Sequence, residues 1–179
     1  MPDLRDTAKA RIIVAMGVAA AGKTALGSAL ARRLASPFLD GDDFHPVANK
    51  EKMRAGIALT DSDRWPWLNS LGSALGRESR SSGLVVGACS ALRRVYRERL
   101  LQAAGEPILF LFLDGEVDAL ERRIRARRHE YMNPALLASQ LATLEPPDAS
   151  ENAVRVDVGE PVSAILEKLL KTVLRPHIV

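Results

Sequence analysis

The chain has 179 residues, 47% of them hydrophobic and 26% charged, with a formal net charge of +3. That apolar content supports one substantial core in a single domain over residues 1–179 and argues against disorder. One cysteine excludes an intramolecular disulfide, the three histidines are not spaced as a zinc set, and no apolar run reaches the length of a membrane span. Residues 1–11 are polar and mixed in charge, unlike a secretory leader, so the expected setting is the cytoplasm, with no membrane partner.

The first apolar run, Ile12 to Met16, reads as a strand, and Gly17 to Thr24 follow it as GVAAAGKT. This matches G-x-x-x-x-G-K-[ST] between a strand and a helix, the pattern of a P-loop. The spacing has a physical purpose, because backbone N–H groups of a tight loop and the first turn of a helix together wrap a polyphosphate. Gly17, Val18, Ala19, Ala20, Ala21 and Gly22 would form the cradle. Lys23 would reach the β- and γ-phosphates, and Thr24 would ligate Mg²⁺. Ala20 stands where many such loops carry glycine, and a positive φ there would cost about 1 to 2 kcal/mol. A helix with Leu26, Ala29, Leu30 and Leu34 on one stripe then runs to Pro37.

A short strand at Phe38 to Leu39 leads into Asp40-Gly41-Asp42-Asp43-Phe44-His45-Pro46. In open parallel sheets, ligands bind where strands end at their carboxyl edge. Phosphoryl transfer needs a metal near the β- and γ-oxygens and a group that orients or deprotonates the acceptor hydroxyl, so Asp40 is a candidate for the metal and Asp42 for the hydroxyl. The plainer reading is that Asp42 or Asp43 caps the next helix and His45 is an ordinary surface histidine. Thr60 to Leu68 reads TDSDRWPWL. Here Asp61 or Asp63 would cap a helix, Trp65 and Trp67 would pack, and Arg64 is either a surface ion pair or a clamp on an acidic substrate.

A third strand, Leu84 to Ala88, ends at Cys89, read as a small buried residue, and is followed by Arg93, Arg94, Arg97 and Arg99. Ile108 to Leu113 is a fourth strand, followed by Arg122, Arg123, Arg125, Arg127 and Arg128. Arginine forks suit phosphate and carboxylate. Arg123 and Arg127 lie four apart on one face, where either could neutralise transition-state charge or simply be solvated. RRHEYMNP, from Arg127 to Pro134, loses its apolar stripe and reads as part of a lid over about 125–140. Glu145 to Asn152 reads as a loop into a fifth strand, Ala153 to Val158, and Val162, Ile165, Leu166, Leu169, Leu170 and Val173 mark the last helix. Strands alternating with helices predict an α/β fold, a parallel five-stranded sheet with helices on both faces.

GVAAAGKT, LDGDDFHP, NKEKMRAGIALTDSDRWPWL, CSALRRVYRERL and LEPP at Leu144 to Pro147 occur in order over nearly the whole chain. Together they resemble the bacterial gluconokinases, small P-loop sugar-acid kinases. D-G-D-x-x-H-P and D-x-D-R-x-P-W-L are the more specific segments. The resemblance implies a three-layer P-loop NTPase fold of nucleoside-monophosphate-kinase type and ATP- and Mg²⁺-dependent phosphorylation of D-gluconate at its 6-hydroxyl. It further implies a homodimer. By position it assigns Lys23 and Thr24 to phosphate and magnesium, Asp40 and Asp42 to the metal shell and attacking hydroxyl, and His45, Arg64, Arg93 and Arg97 to the substrate. Ala19, Ala20 and Ala21 depart from the Ser and Gly more usual in that loop.

Two other readings fit parts of the pattern. Shikimate kinase or another small-acceptor P-loop kinase shares the loop but not the H-P and D-R-x-P-W-L segments. A nucleotide-sensing or nucleic-acid-binding P-loop protein would use the arginines differently, yet aromatics are only 4% of the chain and do not interleave with them, which disfavours nucleic acid as a partner.

Overall fold

The computed structural model describes residues 10–126 and 134–172. Five parallel strands, β1 (Ile12–Met16), β2 (Phe38–Asp40), β3 (Val85–Ala88), β4 (Ile108–Asp114) and β5 (Ala153–Asp157), form one sheet in the order β2-β3-β1-β4-β5. The five strands stand where the apolar runs place them, each within a residue or so. β2 is longer by one residue, so Asp40 closes the strand and does not merely follow it.

β1 is buried along its whole length and shows how one strand feeds two cores. Side chains alternate across a pleated strand. Ile12, Val14 and Met16 therefore join Leu68, Leu71, Leu75, Leu100 and Phe110 on one face of the sheet. Ile13 and Ala15 join Leu26, Leu30, Leu109, Leu111, Ile165 and Leu169 on the other. The first face is covered by α3 (Asp61–Ser82) and α4 (Arg94–Ala104), the second by α1 (Lys23–Arg33) and α7 (Val162–Thr172), which makes three layers. Two further helices, α5 (Val117–Ala126) and α6 (Pro134–Thr143), flank residues 127–133, which lie outside the described residues; of the segment read as a lid, 125–126 and 134–140 are helical. Among the described residues, no helix is long and apolar enough to cross a membrane.

Three helix starts differ from the expected capping. Thr60, not Asp61, is the N-cap of α3, and Asp63 completes a capping box with it. Neither Asp42 nor Asp43 caps α2 (Val47–Arg54), whose N-cap position is Pro46; instead the Asp40 side chain accepts from the Asp42 N–H and caps a single 3₁₀ turn, Gly41–Phe44. Arg93 is the N-cap of α4 and offers no side-chain cap. Glu145, distant in sequence, replaces it by accepting the Arg94 N–H at 2.8 Å.

Candidate active site

Register brings the site together. Ala15 of β1 and Asp40 of β2 both pair with Ala88 of β3, so the chain leaves β1 for the P-loop two strands away from the β2 carboxylate, about 10 Å at the usual strand spacing. The loop and the first turn of α1 cross that gap. Gly17 has φ 145°, and a Cβ there would come within 2.7 Å of the Leu113 carbonyl oxygen, so only glycine lets the loop start against β4. Ala20 has φ 62°, the left-handed conformation that the sequence left open, and Gly22 follows at φ 95°. Left-handed residues at Ala20 and Gly22 are the backbone pattern of an anion-binding nest, while the Ala19 N–H donates to Gln140 Oε1 and the Ala21 N–H to the Val18 carbonyl. Lys23 Nζ donates to the Val18 carbonyl at 2.9 Å, which folds the lysine back over the loop.

Thr24 Oγ1 donates to Asp40 Oδ2 at 2.8 Å. The hydroxyl and the carboxylate therefore share one point at the mouth of the loop, and Asp40 Oδ1 is held by the Asp42 N–H at 3.1 Å. Hard oxygen donors of this kind suit Mg²⁺, which keeps several waters and takes one or two protein ligands beside substrate phosphates. Among the described residues no three His, Cys, Asp or Glu converge as a metal set. The fit is thus to a shared protein–phosphate shell and not to a protein-only cage.

Asp42 is exposed on the 3₁₀ turn, which two contacts hold in place. A Cβ on Gly41 would lie 2.5 Å from the Ala88 carbonyl oxygen, so the turn can press against β3 only with glycine there. Trp67 Nε1 donates to the Gly41 carbonyl at 2.6 Å, and its ring stacks on His45 with centroids 4.0 Å apart. His45 is thereby buried, not a surface histidine, and burial beside Lys50 and Arg64 pushes its pKa down to about 4. The ring is neutral near pH 7 and can only exchange neutral hydrogen bonds.

Two of the candidate arginines gather around Tyr96. Arg64 and Arg93 place their guanidinium carbons 5.3 and 5.4 Å from its ring centre. Tyr96 donates its hydroxyl to Asp61 at 2.5 Å, and Arg93 donates to Asp61 at 2.8 Å and to Glu145 at 3.3 Å. Arg64 is tied to the Leu59 carbonyl. The Tyr96 hydrogen bond, then Arg93, hold the Asp61 carboxyl below its usual range. Arg64 thus belongs to a preformed group of two guanidiniums, one phenol and one carboxylate between α3 and α4.

Arg97 is a correction. The sequence placed it on the substrate, but its side chain is 1% exposed and its fork is engaged throughout. Nε and Nη2 grip Glu151 at 2.5 and 2.8 Å, and Nη1 reaches the carbonyls of Ala91, Leu92 and Glu145. It lies one helical turn beyond Arg93 on the same face of α4, where that face is fully buried. The stretch Glu145 to Asn152, read as a plain connecting loop, is its counterpart: Glu145, Asp148 and Glu151 receive Arg93, Arg94 and Arg97. Arg123 Nη2 donates to the Val158 carbonyl at 2.6 Å, beyond the end of β5. Arg127 lies outside the described residues. Cys89 is buried, and desolvation pushes its thiol up to about 12, which suits packing and not nucleophilic work.

The sequence reading gave no role to Tyr96, Glu145 or Gln140, and it read Trp67 as packing alone. An arginine at the N-cap of α4 was the available signal for Glu145, since a helix start without its own cap needs an acceptor from elsewhere. Gln140 carried no signal, and its contact with the loop depends on tertiary packing alone.

No family model matches the chain. Individual relatives do. A probable gluconokinase of Xenopus tropicalis is 42% identical over 172 residues, covering 88% of this chain and 90% of its own. A gluconokinase of Gluconobacter oxydans is 41% identical, covering 91% of each. The crystal structure of a gluconokinase from Sinorhizobium meliloti superposes with a TM-score of 0.79 at 42% identity, over 90% of each chain. With identity above 40% over about nine-tenths of each chain, the chain belongs to the gluconokinase family.

Proposed function

We propose that the protein transfers the γ-phosphoryl group of ATP to the 6-hydroxyl of D-gluconate, giving ADP and 6-phospho-D-gluconate. The observation that carries this reading is the Thr24–Asp40 bond, which joins the phosphate loop to the acid two residues before Asp42. In this scheme the P-loop amides and Lys23 hold the β- and γ-phosphates. Thr24 and Asp40 would hold Mg²⁺, which would supply charge neutralisation to the phosphates when bound. Asp42 accepts the proton of the 6-hydroxyl as its oxygen bonds to the γ-phosphorus and the bond from that phosphorus to the β–γ bridging oxygen breaks.

An aldonate carries one carboxylate and a row of hydroxyls. Arg64 and Arg93 supply the cations for the first, and His45 a neutral partner for the second. Arg123 belongs to the nucleotide side and Arg127 to the developing charge, with a lid over about 125–140. A homodimer in the cytoplasm completes the proposal, on the strength of the family resemblance and the single cysteine.

The test is a coupled ADP-release assay with ATP and Mg²⁺ over a panel of aldonates, shikimate and nucleoside monophosphates. Gluconate is expected to give the highest kcat/KM. Preference for shikimate would move the protein to the other small-acceptor kinases. Acceleration by none, with salt-sensitive binding to DNA or RNA, would replace the kinase by a P-loop binding protein. Light scattering that returns a single-chain mass would remove the homodimer.

A further inference from the structure

α6 reaches the P-loop. Gln140 Oε1 accepts the Ala19 N–H at 2.6 Å, across 121 residues of sequence. Val18, Ala19, Ala20 and Ala21 are all buried, and Leu137, one turn before Gln140, is buried in the same cluster, with Leu141 packed against it. The Ala19 N–H therefore sits where a missing acceptor would be costly. Ala20, the next residue, holds φ 62° without the tolerance of glycine. The far end of α6 is fixed as well. The Glu145 N–H donates to the Leu92 carbonyl at 2.9 Å, and its carboxylate takes the Arg93 side chain and the Arg94 N–H. Gln140 is thus delivered to the loop by a helix anchored at its base.

We propose that Gln140 is a positioning residue for the nucleotide cradle: it holds the Ala19 amide so that the strained Ala19–Ala20 step is already formed before nucleotide arrives. A loop of three successive alanines lacks the glycines that would let it adopt this shape freely, and an acceptor from α6 replaces that freedom with a constraint. Preorganisation of this kind appears as affinity, because the ordering cost is met in the folded protein and not on binding. The proposal deepens the kinase reading and rests on it for the identity of the ligand, but its test does not need turnover.

The variant is Gln140→Met, which keeps length and apolar packing and removes the acceptor. Amide hydrogen exchange at the P-loop and calorimetric binding of a non-hydrolysable ATP analogue with Mg²⁺ are measured on the full chain. The Ala19 amide should exchange faster in the variant without ligand, and the analogue should bind about three- to tenfold more weakly, the effect of one hydrogen bond. In steady state the ATP KM should rise with the gluconate KM unchanged. Unaltered analogue affinity, even with a lower melting temperature, would overturn the proposal and leave Gln140 a fold residue. Tighter binding would overturn it too, since it would make Gln140 a plug that nucleotide must displace. If the unsubstituted protein binds the analogue but phosphorylates no sugar acid, the kinase reading fails while this inference stands.

Discussion

Replacing Arg97 by methionine separates a scaffold residue from a substrate residue. The guanidinium makes two bonds to Glu151 and three to backbone carbonyls, and the Glu151 side chain is itself only 11% exposed. Methionine refills much of the volume but leaves that largely buried carboxylate without its arginine. Removing one member of a buried pair costs about 3 to 5 kcal/mol, and the stranded carbonyls act in the same direction. In a protein of this size, about 2 to 4 °C of melting temperature accompanies each kcal/mol, so the midpoint should fall by about 6 to 20 °C in differential scanning calorimetry. Adding Glu151→Leu removes the orphaned charge and should recover at least about half of the loss. In the folded fraction, gluconate KM should stay within about twofold of the parent value, because the fork never faces the crevice. A midpoint within about 3 °C of the parent, which corresponds to about 1 kcal/mol, together with a tenfold or greater rise in gluconate KM would refute the structural assignment and restore Arg97 to the substrate.

Other perturbations read other parts of the account. Lys23→Ala and Asp42→Asn should each lower kcat about a hundredfold or more in the coupled assay, since charge stabilisation and acceptor orientation each contribute several kcal/mol; a near-normal rate would remove that residue from the mechanism. Arg64→Ala should raise the gluconate KM more than the ATP KM, and equal effects would make it structural. Ala20→Gly relieves a left-handed alanine at φ 62° and, after the added chain entropy of glycine, should stabilise the fold by about 0.5 to 1 kcal/mol in urea titration; a loss of stability would contradict the strain. His45 is pushed down to about 4 from 6.5, so the unfolded chain binds the extra proton between those values. Stability is then complete above about pH 6.5 and falls toward pH 4, by up to about 3 kcal/mol, and His45→Gln should flatten that window in thermal melts.

The sheet was legible because its signals are local. Uninterrupted apolar runs such as Ile108 to Leu113 admit few other readings in a chain whose intervening segments have helical periodicity. The P-loop was equally plain, since its glycines and lysine answer to backbone geometry within eight residues. What the sequence could not convey was direction on a helix whose partners lie elsewhere. Arg93 and Arg97 look alike in RRVYRERL, yet one turn of α4 puts the first beside Tyr96 and the second against Glu151. The same holds for Glu145 to Asn152, whose acids read as solvated until the arginines of α4 are placed opposite them. Trp67 was read as packing, and it does pack, but its indole N–H also fixes the turn that carries Asp42. Each miss is a long-range hydrogen bond to a group whose residue type alone gives no direction.

The central claim is that the acid-bearing turn after β2 presents a primary alcohol of a sugar acid to a phosphate held by the loop after β1. Phosphorus NMR of a reaction containing protein, ATP, Mg²⁺ and gluconate carbon-13-labelled at C6 tests it directly. A new phosphomonoester resonance coupled to the labelled carbon is expected, appearing as ADP forms. ATP consumed with only inorganic phosphate released, or a phosphate ester that shows no coupling to C6, would contradict it.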